Sequence, residues 1–273
     1  MTTLPRSGPA AEQGPTGHQA RARIEVEWGV AGARHFTEGA DRAQVVVVVD
    51  VLSFSTSVTV ALERGARVWP HPGGEQAHEL ARSLEAVLAG TRSHTSGPSL
   101  SPASLLDLAP GTRLVLPSPN GSSIAHVLMS SPALVLIGCL RNASAVAARV
   151  AQQVRELLHG AGQDGSGQDR APVRVAVVPA GERWGDGSLR VAYEDHVGAG
   201  AVVAGLRRVL PGIQVSAEAA VAAQAFEHLM PLAGTPSGRE LIERGFAQDV
   251  EIAGEVDASQ VVPVLKQGSF TPA

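Results

Sequence analysis

Carboxylates and hydroxyls that could hold a cation and a phosphate recur here where apolar runs give way to loops. Asp50-Val51-Leu52-Ser53-Phe54-Ser55-Thr56-Ser57 follows five valines, Val45 to Val49. A carboxylate so placed can bind Mg2+, while hydroxyls and open N–H groups at a helix start can take phosphate oxygens. Ser55 or Thr56 could equally cap the helix, with Asp50 accepting its backbone hydrogen bonds. A second loop, Ser118-Pro119-Asn120-Gly121-Ser122-Ser123, sets an amide, a glycine and hydroxyls at another helix start, and its composition also suits a plain capped turn. A third, Gly138-Cys139-Leu140-Arg141-Asn142-Ala143-Ser144, offers Arg141 as an anion clamp or a surface charge, and Asn142 as a cap or ligand. The fourth region, Pro179 to Leu189 and then Tyr193-Glu194-Asp195, gathers four carboxylates within fourteen positions, Glu182 to Asp195. Glu194 and Asp195 suit a first helical turn through the macrodipole. The small residues Gly198, Ala199, Gly200 and Ala201 behind them would let that helix pack closely and carry a carboxylate into a shared site.

Oxygen donors scattered singly over several loops suit Mg2+ better than zinc, and the nine histidines show no zinc-ligand spacing. An aspartyl-phosphate nucleophile of the haloacid-dehalogenase type needs a second Asp two residues beyond the first, where Leu52 stands. A phosphate-binding Gly-Lys-Ser/Thr loop is absent, Lys266 being the only lysine, and no Gly-x-Ser-x-Gly elbow occurs. Cys139 and Arg141 are too close for a cysteine-phosphatase loop, so Cys139 reads as a small buried thiol.

The elements that would position these groups alternate. Apolar runs at Val45–Val49, 113–116, 133–137 and 173–178 read as strands buried on both faces. Helical patterns cover 57–64, 76–88, 122–129, 143–158, 193–210, 217–229 and 238–244. This order predicts an α/β fold with a mainly parallel sheet, where ligands lie beyond the strands' carboxyl ends. Residues 1–22, rich in Pro, Gly, Ser and Thr, read as a disordered tail, and 90–101 and 160–171 as surface loops. The formal net charge of −4 gives no basic footprint for nucleic acid or anionic lipid. No run approaches the ~18 apolar residues of a membrane helix. A lone cysteine fits a reducing cytoplasm.

The ordered motifs resemble the 2-phosphosulfolactate phosphatase family from about Arg34 to Gly268. The residues that carry the likeness are Val47-Val48-Val49-Asp50-Val51-Leu52 with Ser55-Thr56-Ser57, Leu100-Ser101-Pro102, Ser118-Pro119-Asn120-Gly121-Ser122, Arg141-Asn142-Ala143-Ser144, Ala180-Gly181-Glu182 and Glu194-Asp195, together with Gly245 to Val250 and Asp257 to Pro263. The resemblance implies a Mg2+-dependent phosphatase of a small phosphorylated acid and a homodimer. It also implies a three-layer α/β/α fold with a second, smaller α/β domain, divided here as 23–170 and 171–273. Asp50, Glu182 and Arg141 are the catalytic candidates. Asp50, Glu182, Glu194 and Asp195 are the candidates for metal. Ser53, Ser55, Thr56, Ser57, Asn120, Gly121, Ser122, Asn142 and Arg183 are the candidates for substrate. Two departures remove expected cations: Ser53-Phe54 replaces Arg-Ala after Asp-x-Leu, and a Gly-Glu-Arg element is matched only by Gly74-Glu75-Gln76. A noncatalytic binder of an acidic or phosphorylated metabolite on the same fold is the alternative those departures leave open.

Overall fold

The computed structural model describes residues 22–39, 41–92, 97–163 and 171–273. The expected tail lies outside them apart from Ala22, as does most of the loop expected at 160–171. The valine run forms β2 (Val45–Val49), whose side chains alternate between two cores. Val45, Val47 and Val49 pack with α5 (Ala143–Gln163) and α6 (Tyr193–Val209), while Val46 and Val48 pack with α1 (Gly29–Thr37), α2 (Phe54–Glu63) and α4 (Gly121–Leu128). A strand apolar on both faces is thereby covered on both, as the uninterrupted run implied, and the layers number three.

Around β2 the sheet runs β10 (Gln214–Val215), β1 (Ala22–Val26), β7 (Val173–Pro179), β2, β6 (Leu134–Gly138), β11 (Pro263–Lys266), β12 (Ser269–Pro272), β3 (Arg67–His71), β5 (Arg113–Pro117), β4 (Val87–Leu88). Pairing is parallel within β10-β1-β7-β2-β6 and within β3-β5-β4. The hairpin β11–β12 joins the two blocks through antiparallel contacts on both sides. Three successive reversals make the β3-β5-β4 block run opposite to the larger one. Strands from both sides of residue 170 share the sheet, since β7 lies between β1 and β2. The smaller block is drawn from the middle of the sequence.

This placement decides where loops can meet. Asp50 leaves the carboxyl end of β2, and the 118–120 loop leaves the carboxyl end of β5 in the opposed block. The two loops nonetheless meet, the Gly121 N–H beyond β5 reaching the Asp50 carboxylate beyond β2. Helix α6 approaches β2 closely because Gly198 has no side chain. A Cβ there would stand 2.6 Å from Val51 Cγ2 and 2.9 Å from Val49 Cγ1, well inside van der Waals contact.

Candidate active site

The chain turns sharply after β2, and the turn is organised by Asp50. Its Oδ1 accepts from the Phe54 N–H at 3.1 Å and its Oδ2 from the Gly121 N–H at 2.8 Å, so one carboxylate caps both α2 and α4. The Ser55 hydroxyl accepts from the Asp50 N–H at 2.8 Å. Gly121 is required by this approach, because a Cβ on it would lie 2.6 Å from Asp50 Oδ2 and from Phe54 Cδ1. On the other side Asp195, in the first turn of α6, accepts from the Val51 N–H at 2.7 Å and the Gly181 N–H at 2.8 Å. Glu194 beside it is 2% exposed, with no hydrogen bond to a described residue. Glu182 opens a two-stranded hairpin, β8 (Glu182–Arg183) and β9 (Leu189–Arg190), and its Oε2 accepts from Asn120 Nδ2 at 3.0 Å.

Four carboxylates thus face one another across the β2 end, and their charges interact. Burial pushes Asp50 up, against the Gly121 and Phe54 hydrogen bonds that pull it down. Burial and then the charges of Asp50 and Glu194 hold Asp195 well above the usual carboxylate range. Burial, followed by the charge on Asp50, pushes Glu182 up to about 7. Mutual repulsion among buried acids is the condition that a cation or a bound proton relieves.

A cation that reaches this cluster from the Asp50 side is Arg92, two residues beyond Gly90 in a segment expected to be a surface loop. Its Nη2 donates to the Ser53 hydroxyl, and its Nε stands 3.2 Å from Asp249 Oδ2 on α9 (Ala247–Gly254). Burial lowers the Arg92 pKa, while the charges of Asp249, Asp50 and Glu182 raise it. Asp249 is 1% exposed and also accepts from Ser101 Oγ at 2.5 Å and the Ala103 N–H at 3.2 Å. Beside Glu182 a cavity of about 180 Å3 is walled by Trp28, Val30, Ile124 and Leu189, with Asn120 and Arg183 at its polar side.

The sequence pattern of the 2-phosphosulpholactate phosphatase family matches residues 33–268. The chain belongs to that family. It is 30% identical over 226 residues to the 2-phosphosulfolactate phosphatase of Methanothermobacter thermautotrophicus, a match covering 81% of this chain and 87% of that one. A probable 2-phosphosulfolactate phosphatase of Carboxydothermus hydrogenoformans is 27% identical over 229 residues, with 81% and 85% covered. Another from Deinococcus radiodurans is 28% identical over 240 residues, with 84% and 90% covered.

In this family member the expected site residues divide. Asp50, Asn120, Gly121, Glu182, Glu194 and Asp195 come together, with Ser53 on the Arg92 side and Arg183 at the cavity. Arg183 donates to the Pro119 carbonyl at 3.3 Å. The hydroxyls of Ser55, Thr56, Ser57 and Ser122 are fully buried and turned into the protein. Thr56 donates to Val51 O, Ser57 to Leu100 O and Ser122 to Leu116 O, each at 2.8 Å. Ser55 is the partner of the Asp50 N–H and lies 3.4 Å from Val48 O.

Asn142 closes its own turn, accepting from the Cys139 N–H at 2.9 Å and donating to Val261 O at 3.0 Å. Arg141 is not brought to the carboxylates. Its guanidinium pairs with Glu255 and with Glu63, 3.4 Å away at the last turn of α2, the helix whose first turn meets Asp50. A helix of that length spans ~15 Å. Arg141→Met is therefore expected to lower the unfolding free energy by about 1–3 kcal/mol through its unpaired carboxylates, and to leave kcat and KM of the folded protein within about twofold. Denaturant titration alongside kinetics checks this, and a folded variant without turnover would return Arg141 to the site.

Gly74-Glu75-Gln76 starts α3 (Glu75–Ser83), on the far block. Sequence reasoning missed Arg92 and Asp249. The available signal was that Arg92 is the sole arginine or lysine of the polar stretch 90–101.

Proposed function

We propose that the protein hydrolyses a phosphate monoester of a small acidic metabolite, 2-phosphosulfolactate-like, with Mg2+ at the carboxylate cluster. The observation that supports this reading most is the Asp50 turn. One buried carboxylate is fixed by two helix starts and faces Glu182, Glu194, Asp195 and the Arg92 guanidinium. Among the described residues no three His, Cys, Asp or Glu side chains close a metal site by themselves. Mg2+ asks for less, because it commonly takes one or two carboxylates and completes its shell with water and phosphate oxygens. The donor set fits: every candidate donor is oxygen, and Glu194 is 2% exposed and accepts no hydrogen bond from a described residue. Glu194 and the open lone pairs of Asp50 would hold the ion, with Asp195 fixing the turn from behind and Glu182 left free beside it. When bound, a hard divalent cation would polarise the phosphoryl group and acidify a coordinated water.

The chain's own groups supply the rest. Glu182, poised near neutrality, takes the proton of the attacking water. Water oxygen bonds to phosphorus as the ester P–O bond breaks, the departing oxygen takes up a proton equivalent to the one Glu182 accepted, and the products are an alcohol and inorganic phosphate. Asn120 holds Glu182 in place at 3.0 Å, and the cavity beside Trp28 would take the organic part of a small substrate. The names of the relatives support a phosphoric monoester hydrolase. The resemblance supports a homodimer, which sedimentation would test. The unpaired, buried Cys139 supports a cytoplasmic location. Among the described residues no helix is long and apolar enough to cross a membrane.

A screen of small phosphorylated acids with and without Mg2+ tests the reading. Mg2+-stimulated phosphate release is expected. Binding without release from any ester would establish a noncatalytic binder instead.

The metal-free protein carries a second signature. Glu182 is raised to about 7 from the ordinary 4.5, so the native state binds more protons than the unfolded chain between those values. Stability must then fall as pH rises through that window and level off above it, by on the order of 2–3 kcal/mol once partial exposure of Glu182 is allowed for. Asp50 and Asp195, also raised, act with the same sign. Mg2+ is accordingly expected to raise Tm more at about pH 8 than at about pH 5. Equal shifts at both would place the ion elsewhere.

A further inference from the structure

Arg92 carries donors that no described residue uses. A guanidinium has five N–H donors in a rigid planar fork. Nη2 is engaged by Ser53, and Nη1 donates to no described residue. Nε is buried and lies 3.2 Å from Asp249 Oδ2, yet neither atom makes a hydrogen bond. The pair is close enough for ionic attraction and misaligned for bonding. The Phe246 ring, with its centroid 5.7 Å from Arg92 Cζ, covers one face of the fork and fixes its plane. A largely buried guanidinium whose buried Nε makes no hydrogen bond is costly unless something else satisfies it. This one sits between the Asp50 turn and Asp249, against the cluster described above.

We infer that Arg92 is the anion-binding residue of the site, its fork positioned by Asp249, Ser53 and Phe246 to take two oxygens of a bound phosphate. Only the choice of phosphate as the anion rests on the phosphatase reading. An acidic cluster repels a dianionic substrate, and one fixed bidentate cation on its rim selects the orientation in which phosphate oxygens face Arg92. Asp249 is a positioning residue. Its Oδ2 stands by the guanidinium Nε, while its other oxygen is anchored by Ser101 and the Ala103 N–H.

The test is a calorimetric titration of the full chain with inorganic phosphate in the presence of Mg2+, for the wild type, R92Q, R92K and D249N. R92Q is expected to weaken phosphate binding about 10- to 100-fold. R92K, which keeps charge and loses the fork, should weaken it about three- to tenfold. D249N is expected to raise KM for a phosphate ester several-fold with a smaller change in kcat, which loss of fold stability alone would not produce. Phosphate affinity in R92Q within about twofold of the wild type, or no phosphate binding by the wild type, overturns the assignment. Unchanged KM and kcat in D249N overturn the positioning role. Should R92Q fail to fold, R92K against the wild type decides. If the wild type hydrolyses no ester, the phosphatase reading falls, while the titration still decides what Arg92 binds.

Discussion

Asp50→Asn is expected to lower turnover of a small phosphate ester by about a thousandfold, the scale on which loss of one preorganised charged group at a reacting centre is felt. The substitution keeps shape and volume but changes two balances in opposite senses. Both Asp50 oxygens accept backbone N–H groups, from Phe54 and Gly121. An amide offers one acceptor and sets an NH2 against the second N–H, a mismatch of about 1–3 kcal/mol. Against this, one buried negative charge disappears from among Glu182, Glu194 and Asp195, and the repulsion that raises Glu182 and Asp195 is relieved. Stability should therefore change little near neutral pH, while activity collapses and the Mg2+-dependent rise in Tm shrinks. Thermal melts with and without Mg2+, read beside kcat, separate these effects. Unchanged Mg2+-dependent turnover in folded Asp50→Asn would remove Asp50 from the chemistry and leave it as a cap for two helices.

What the sequence revealed, and what it hid, follows from the range of the forces involved. The apolar runs of β2, β5, β6 and β7 were legible because a strand covered on both faces must be continuously apolar. Asp50, Glu194 and Asp195 were legible because they follow a strand or open a helix, positions fixed by local pattern, and Glu182 because it lies in the loop just beyond β7. β3 was not, since Arg67-Val68-Trp69-Pro70-His71 is short and contains a proline, which argues against a strand with partners on both sides. The β11–β12 hairpin turns on Gln267-Gly268, both at positive φ (50° and 76°), and Gln in place of Asn or Asp weakens the turn signal.

The hydroxyl assignments failed to carry outward for a related reason. The sequence placed the start of α2 at Ser57, whereas the helix begins at Phe54, and that advance rotates Ser55, Thr56 and Ser57 into the interior. Arg92 was hidden because its place depends on Asp249, a partner distant in sequence that no local pattern announces. A cation thus meets Ser53 in space from a segment whose own neighbours read as loop. The opposed run of the β3-β5-β4 block was equally hidden, because direction is set by the late hairpin that joins the blocks.

The small-residue face of α6 gives the last expected result: Gly200→Ala should destabilise the protein by about 3–4 kcal/mol, a large part of the ~5–15 kcal/mol that holds a domain folded. A Cβ at Gly200 would stand 1.9 Å from the carbonyl oxygen of Ala222 and 3.1 Å from Phe226 Cβ. Backbone cannot rotate away as a side chain can, so α7 (Ala217–Glu227) must shift. Gly198, two positions earlier, faces the opposite neighbour and admits α6 to Val49 and Val51. The helix is thus pinned on one side by α7 and on the other by the β2 end, with Glu194 and Asp195 at its start. A shift of α6 loosens the Asp195 bonds to the Val51 and Gly181 N–H groups, so folded Gly200→Ala should also lose activity, with kcat falling more than a surface change of equal stability cost would predict. Denaturant melts and kinetics at a temperature where the variant remains folded provide the measurement. A variant as stable as the wild type would mean that α6 and α7 are not packed backbone to backbone, and the closeness that brings the acids together would have to come from elsewhere.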